Sequence, residues 1–497
     1  MSDKSCEAGR DPGKNESGDR SALRDELLAL IKGWEIDLPT DLGDESPLIA
    51  SGLFDSLALF NLILWIEAKT GRTIDPTSVD IAREWASVAD VLRYLHPTSA
   101  APESGGAPRS RTATRPLAQA GYQIVRYDPS FKYTVAQFQT GLWSTSTELN
   151  LRYLEWKHES NPYADEPNIY LAFHNDALVG MRGFYASRWE TGVPARQWPV
   201  LVADDLLIRE DHRNRGLVTR IMNAAYADLR DSKSEYLFNL SGGRFAVLGS
   251  LTLGWRSIGM LKPMGHRRRA VKLRRALRSH LNRVPYFWRH AESRLLYSVT
   301  EQRPFEQLDR AAAQFITKAG PAVEIDTCPK PKAMAALIKR IGHDGRVRHV
   351  RDERYLHWRF RNPLCEYRFL YVGSDALDGY LALKRSTAQP GWFPRVSIVD
   401  LEAINGDVQE ALLEVAVDAG AFAELVTWTA TASDQLVKRL ETFGFSPVDQ
   451  ELAAFGCPCF LVRTVKDKSL DEDWRLGDTR LLDLANWDIR MLFSMAG

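Results

Sequence analysis

The sequence predicts a multidomain protein, with a small all-helical domain followed by two tandem α/β units, each a mixed twisted sheet with flanking helices. Three observations carry this reading. Residues 21–96 show only helical apolar spacing, the chain alternates strands and helices from Tyr122 onward, and one block of that α/β region recurs further along. A length of 497 residues exceeds what a single core organises, so several domains are expected.

The elements follow in order. Residues 1–20 are polar and Gly-rich and read as a disordered tail. From Ser21, Leu23, Leu27, Leu30 and Ile31 form one helical stripe, and a loop with Pro39, Gly43, Asp44 and Pro47 leads to Gly52. A second helix is expected from about Asp55 to Lys69, with Leu57, Phe60 and Leu64 packing inward, and a last helix carries Val88, Val91, Leu92 and Leu95. Residues 97–120 are rich in Pro, Ala, Ser, Gly and Thr and read as a flexible linker.

A hairpin is predicted from Ile169–His174 and Ala177–Ala186 around Asn175-Asp176. It is followed by a strand at Pro199–Ile208, an amphipathic helix at Gly216–Leu229 and a strand at Tyr236–Leu240. Tyr153-Leu154-Glu155-Trp156 recurs as Tyr355-Leu356-His357-Trp358, Asn161-Pro162 as Asn362-Pro363, and Asp176-Ala177-Leu178-Val179-Gly180 as Asp375-Ala376-Leu377-Asp378-Gly379. Three matches in one order argue for duplication. The α/β units are placed at 121–262 and 322–465, joined by a basic helical connector at 263–321, and 466–497 is read as a C-terminal tail.

Charge narrows the function. The chain is neutral overall, so its balance implies no nucleic-acid partner. Residues 21–96 nevertheless hold 13 Asp/Glu against 6 Lys/Arg, while 261–290 hold 10 Lys/Arg and no acid. The basic stretch (Arg267-Arg268-Arg269, Lys272, Arg274, Arg275, Arg278) has three readings: a solvated face, a docking surface for the acidic domain, or an interfacial membrane helix. Five scattered cysteines do not make a disulfide framework, and Cys457-Pro458-Cys459 lacks further ligands nearby, so no metal is expected. The N-terminus has no apolar leader and Leu57–Ile66 is too short to span a bilayer, which predicts a cytoplasmic protein with membrane contact unlikely.

Two motifs carry chemistry. Gly52-Leu53-Phe54-Asp55-Ser56-Leu57 puts a serine hydroxyl at a helix start, where the helix dipole and free N–H groups favour a phosphodiester; an ordinary N-cap is the structural alternative. With Asp44, Pro47, Leu48, Glu67, Gly71 and Ile74, this stretch resembles the acyl carrier protein family over residues 21–96. The resemblance implies a four-helix carrier domain bearing 4′-phosphopantetheine on Ser56. It also implies two partners, a phosphopantetheinyl transferase and a carrier-charging enzyme.

The second motif is Arg213-Asn214-Arg215-Gly216-Leu217-Val218, between a strand and an apolar-striped helix, where Gly216 permits close backbone approach and successive N–H groups cradle a pyrophosphate. It resembles motif A of the GNAT (GCN5-related N-acetyltransferase) superfamily, with Val218 where the family usually keeps a small residue. The resemblance implies that backbone groups around Leu206 and Ile208 hold a pantetheine arm, that the strand pair there is splayed, and that Asn239 and the Gly254-Trp255 turn belong to later motifs. It also implies an acetyl-CoA or acyl-CoA cosubstrate. Direct attack of an amine on a thioester needs a base, for which Asp204 is the candidate, and an acid. The family's usual tyrosine acid is replaced by Ser250. Asp204 and Asp205, adjacent on a strand, are expected on opposite faces. The second copy lacks the basic-x-x-Gly-x-small run after Asp400-Leu401 and reads as degenerate.

Together these predict an N-acyltransferase that acylates a small-molecule amine or carrier-bound substrate from acyl-CoA or from its own carrier, in a secondary-metabolite setting. The alternatives are a GNAT-like enzyme that loads its own carrier thiol, and a non-catalytic carrier scaffold.

Overall fold

A computed structural model describes residues 13–34, 42–95, 121–268, 304–387, 395–448, 459–466 and 473–495; within these stretches 50–53, 55, 73, 75–78, 80, 214, 243, 312–313, 316–319 and 421 lie outside the description. The chain forms two compact units. One comprises residues up to Tyr122 together with 209–220 and 245–255, and the other comprises the rest.

In the first unit, helix α1 spans Gly13–Lys32, α2 Ser56–Thr70, α3 Ile81–Glu84 and α4 Val88–Leu95. Helix α1 therefore begins inside the stretch expected as a tail, because its turns extend back from the Leu27–Ile31 stripe, both ends of which are fully buried. Helix α2 buries Leu59, Leu62, Ile63 and Ile66, an i, i+3, i+4, i+7 face. Leu64, expected in the core, is instead 47% exposed, since it lies between the spokes of that face. Trp85, Val88 and Val91 complete the buried set, and Arg24 pairs with Asp44 at 2.6 Å.

The second unit holds most of both copies of the α/β repeat, while 209–220 and 245–255 of the first copy fall in the first unit. In the first copy, β1 (Tyr122–Arg126), α5 (Lys132–Phe138), α6 (Thr147–Leu154) and β2 (Asn168–His174) precede β3 (Ala177–Thr191) and β4 (Arg196–Ile208). Then come α7 (Leu217–Leu229), β5 (Tyr236–Gly242), α8 (Arg244–Thr252), β6 (Arg256–Met260) and β7 (Pro263–Arg267). The expected hairpin closes through Asn175 and Asp176, both at positive φ, a turn that suits the right-handed twist of its strands.

In the second copy, α9 (Pro304–Arg310), β8 (Gln314–Phe315), β9 (Val323–Asp326), α10 (Pro331–Ile341), β10 (Val347–His349) and α11 (Glu353–Arg359) lead to β11 (Cys365–Val372). Strands β12 (Gly379–Ser386) and β13 (Arg395–Ala403) precede α12 (Gly406–Asp418), β14 (Glu424–Trp428), α13 (Asp434–Thr442), β15 (Phe445–Pro447) and β16 (Cys459–Thr464). Short strands β17 (Arg475–Leu476), β18 (Thr479–Arg480) and β19 (Trp487–Asp488) follow.

The two sheets trade strands. The first runs β1-β2-β3-β4-β5-β16-β6, so the last long strand of the second copy lies between two strands of the first. The second runs β15-β7-β14-β13-β12-β11-β9-β8, with β7 of the first copy between β14 and β15. Residues 263–267, assigned by sequence to a helical connector, are thus a strand, and Arg267 pairs there with Glu424 at 2.8 Å. The proposed basic helix over 269–281 lies outside the described residues.

The repeated motif forms a symmetric joint. Trp156 and Trp358 stack with centroids 4.6 Å apart and planes at 10°, and each indole Nε1–H donates to the other's backbone carbonyl at 2.7 Å. Asn161 and Asn362, both buried, use Oδ1 alike, accepting from Tyr163 N and Leu364 N. Trp474, Trp487, Leu492 and Phe493 join this same core, which corrects the reading of 466–497 as a tail; its apolar residues are too widely spaced to show helix or strand periodicity.

His349 lies in that core, its ring 4.1 Å from that of Tyr355 and 5.0 Å from that of Phe493. Burial pushes its imidazole down to about 3, outweighing the Val350 carbonyl that favours the proton, and Arg351 and Arg359 add to the depression. Because the folded-state value is depressed, the stabilisation is complete above the unfolded histidine's value near 6.5 and is lost as pH falls below it. Between pH 7 and pH 5 this costs about 2 kcal/mol. Urea titrations at the two pH values are expected to show that loss in the wild type and most of it abolished in His349→Phe.

Candidate active site

The site grows from a defect in the pairing of β3 with β4. Met181 pairs with Leu207 and Gly183 with Asp204, so Arg182 alone faces both Asp205 and Leu206. This is a β-bulge, and Asp205 enters it at φ 55°. A Cβ on Gly183 would stand 2.7 Å from Asp205 Oδ2, so only glycine leaves room for the carboxylate. The bulge overturns the expectation that Asp204 and Asp205 point apart, since both carboxylates reach one ammonium.

That ammonium belongs to Lys157. After α6 the chain widens into a π-helical turn, Glu155–Glu159, which carries Lys157 and His158 inward. Lys157 is fully buried, and its Nζ donates to Asp204 Oδ2 at 2.8 Å and Asp205 Oδ1 at 2.9 Å. The rings of Trp143, Tyr153 and Tyr185 surround the ammonium at 5.1, 5.2 and 5.4 Å. Trp143 Nε1–H donates to Asp205 Oδ1 at 2.7 Å, and His158 Nε2 meets Oδ2 at 3.0 Å.

Burial would raise the Asp205 carboxyl, but Lys157 and then His158 overcome it and hold the group well below the usual carboxylate range. Burial in turn lowers the His158 imidazole against the pull of Asp205, so Nε2 carries the proton it gives to Asp205. Asp205 is therefore a fixed anion that organises the site.

Asp204 lies at the mouth of a split. Strands β4 and β5 run parallel through Leu201↔Leu237 and Val202↔Phe238. Beyond that register β4 continues to Ile208 paired with β3 alone, while β5 keeps the pairing with β16 that it holds on its other edge, with Asn239 opposite Leu461. Of the residues singled out by sequence, Asp204, Leu206, Ile208 and Asn239 thus lie on these two strands, with Asp204 and Asn239 buried. Ser56, Arg213, Arg215, Gly216, Leu217, Val218 and Ser250 fall mostly or wholly in the first unit, and Asn214 is outside the described residues. Gly216 has φ 66°, Arg213 and Arg215 are exposed, and Leu217 opens α7 buried. Ser250 lies on α8, half-buried, with its carbonyl accepting from Trp255 N at 3.2 Å.

Residues 130–246, from α5 to the start of α8, match the sequence model of the acetyltransferase (GNAT) domain. The chain carries a GNAT acyltransferase domain. No curated protein matches the chain. Among solved structures, a conserved protein of unknown function from Enterococcus faecalis V583, described as a probable N-acyltransferase, superposes with a TM-score of 0.44. The identity is 9%, over 69% of this chain and 73% of that one. A tandem GNAT protein from the clavulanic acid biosynthesis pathway gives a TM-score of 0.40 at 12% identity, over 70% of this chain and all of that one. A GCN5-related N-acetyltransferase from Anabaena variabilis gives 0.43 at 8%, over 69% and 73%.

GNAT enzymes take acetyl-CoA or acyl-CoA as cosubstrate. In the first copy β4 bulges against β3 and runs on past its pairing with β5, and Gly216 holds a backbone conformation that only a residue without Cβ takes freely. The second copy is closed by contrast. Asn405 Oδ1 already accepts from Val408 N at 3.0 Å at the start of α12, and a Cβ on Gly406 would collide with the Arg439 guanidinium. Asp400 accepts from Arg351, Arg490 and Tyr380 at 2.6–3.1 Å, which fills its lone pairs. Sequence inspection missed Lys157, His158 and Trp143. The available signal was position, since Lys157 directly follows the repeated Tyr-Leu-x-Trp motif and Arg359 stands at the matching place.

Among the described residues no group of His, Cys, Asp and Glu is placed to hold a metal ion, and no helix is long and apolar enough to cross a membrane.

Proposed function

We propose that the chain is an N-acyltransferase in which the first copy transfers an acyl group from a thioester to a small-molecule amine, and residues 21–96 serve it as a carrier domain. The observation that carries this reading is the bulged β4 with Asp204 at the β4–β5 split, inside the GNAT match. The amine attacks the thioester carbonyl, the C–N bond forms, and Asp204 takes the ammonium proton. The C–S bond breaks and the thiolate leaves, to be protonated from solvent or through Ser250. Arg213, Arg215 and the backbone from Gly216 to Val218 hold the pyrophosphate of acyl-CoA. The second copy supplies strand β16 and walls of the acceptor side while remaining without activity of its own.

Ser56 is the first residue of α2, where the helix's unpaired N–H groups favour a phosphate. A 4′-phosphopantetheine there supplies a thiol that carries acyl or aminoacyl groups as thioesters. The partners are then a phosphopantetheinyl transferase, a carrier-charging enzyme and an amine.

Intact-protein mass spectrometry of the full chain, co-expressed with a broad-specificity phosphopantetheinyl transferase and given acetyl-CoA with a panel of amines, tests both parts. The expected result is the mass of the arm on wild type but not on Ser56→Ala, together with an amide product. Acyl gain on the arm without amide would overturn transfer to amines in favour of self-loading, and absence of the arm would remove the carrier role.

A further inference from the structure

Lys384 is a buried cation that pairs with no carboxylate among the described residues. On β12 it stands directly opposite Tyr367 of β11, 3% exposed, with Cys365 diagonally beside it on the same face. Arg359 shares this corner. Its guanidinium donates to Tyr367 Oη at 2.8 Å and to the carbonyls of Leu492 and Ser494 at 2.9 Å, none of them an anion. Among the described residues the Lys384 ammonium makes no hydrogen bond or ion pair. Of the other buried cations of this unit, Lys157 is matched by Asp204 and Asp205, Arg351 by Asp400 and Glu402 and Arg267 by Glu424, whereas Arg182, like Arg359, forms no ion pair with a carboxylate among the described residues. A buried ammonium without a partner is costly. Burial accordingly pushes Lys384 down to about 8, with the Cys365 thiol opposing and Arg359 reinforcing the shift.

This corner adjoins the reacting centre of the first copy. Arg359 lies 5.9 Å over the Trp156 ring, Trp156 stacks on Tyr153 at 5.5 Å, and the Tyr153 ring receives Lys157 on its face. The Tyr153 hydroxyl is itself buried with no hydrogen-bond partner among the described residues. The Trp156–Tyr153 slab thus runs from Arg359, which is bonded to Tyr367, the cross-strand partner of Lys384, to Lys157 and its partner Asp204.

We propose that Lys384, backed by Arg359, is a subsite for the carboxylate of a small-molecule reactant in the first copy's acyl transfer. The carboxylate has two possible sources, an amino-acid acceptor or the free end of a dicarboxylic acyl thioester. The proposal rests on the reading of the first copy as a transferase.

The test is thermal melting of the full chain with acetate, β-alanine and succinate, each against its neutral amide, in wild type, Lys384→Met and Lys384→Arg. The expected result is that carboxylates raise the wild-type midpoint and amides do not, that Lys384→Met is indifferent, and that Lys384→Arg keeps the response. Lys384→Met is also expected to melt higher than wild type without ligand; a lower midpoint would reveal a structural partner and overturn the subsite. An unresponsive wild type, or an equal response in Lys384→Met, would do the same. Transfer assays then separate the sources. Loss of about 10-fold or more in KM for β-alanine over β-alaninamide in Lys384→Met marks the acceptor, and the same loss for succinyl-CoA over butyryl-CoA marks the donor. A carboxylate-specific melting shift without transfer from any thioester would leave the subsite standing and refute the transferase.

Discussion

Expressed alone, residues 121–262 are expected to give no cooperatively folded protein, although they contain all of the GNAT match. The missing piece is β16, which pairs with β5 on one side and β6 on the other. Its Cys459, Phe460, Leu461 and Val462 are each at most 1% exposed. Burying one such side chain contributes about 1.5–3 kcal/mol, so withdrawing the strand removes about 6–12 kcal/mol, the size of a whole domain's stability. It also bares two long strand edges. The complementary fragment, 263–497, keeps β7 at its start and should fold more readily. Co-expressing the two is expected to restore a complex with the melting behaviour of the intact α/β unit. A sharp thermal transition in the isolated 121–262 fragment would show that β16 is dispensable and that the exchange is only a decoration.

How far the sequence could foretell this depends on which physical signal each part leaves. The hairpin at Asn175-Asp176 and the strand at Pro199–Ile208, which the structure extends back to Arg196, were legible because alternation and turn chemistry are local. The duplication was legible because Trp156 and Trp358 must be the same residue type to make their reciprocal indole-to-carbonyl bonds. The strand exchange was not: 263–267 reads as part of a basic connector, and nothing local in 459–464 says which sheet receives it. The meeting of Asp204 with Asp205 was illegible for a related reason: strand periodicity assumes a regular pleat, and the bulge opposite Gly183 breaks it. Lys157 was invisible because a π-helical turn, rather than an α-helical one, aims it inward.

Asp204→Asn is expected to lower kcat/KM by about 10²–10⁴-fold with little loss of fold, because an amide cannot take the ammonium proton while Lys157 keeps Asp205 as its counter-ion. Lys157→Met should fail differently. It removes the cation that Asp204 and Asp205 share and leaves two buried carboxylates facing each other, a loss of about 3–5 kcal/mol in stability. Adding Asp205→Asn to Lys157→Met should recover part of that loss, since one of the stranded charges disappears, and denaturant titration of the three variants measures it. The acid limb follows from the sign of the Asp205 shift. Its folded-state value is depressed, so its stabilisation is present above the unfolded aspartate's value near 4 and is lost as pH falls through the acid range. Asp205→Asn should flatten that limb. If Asp204→Asn retains full activity, the base lies elsewhere, and Asp204 is left with Asp205 as a holder of Lys157.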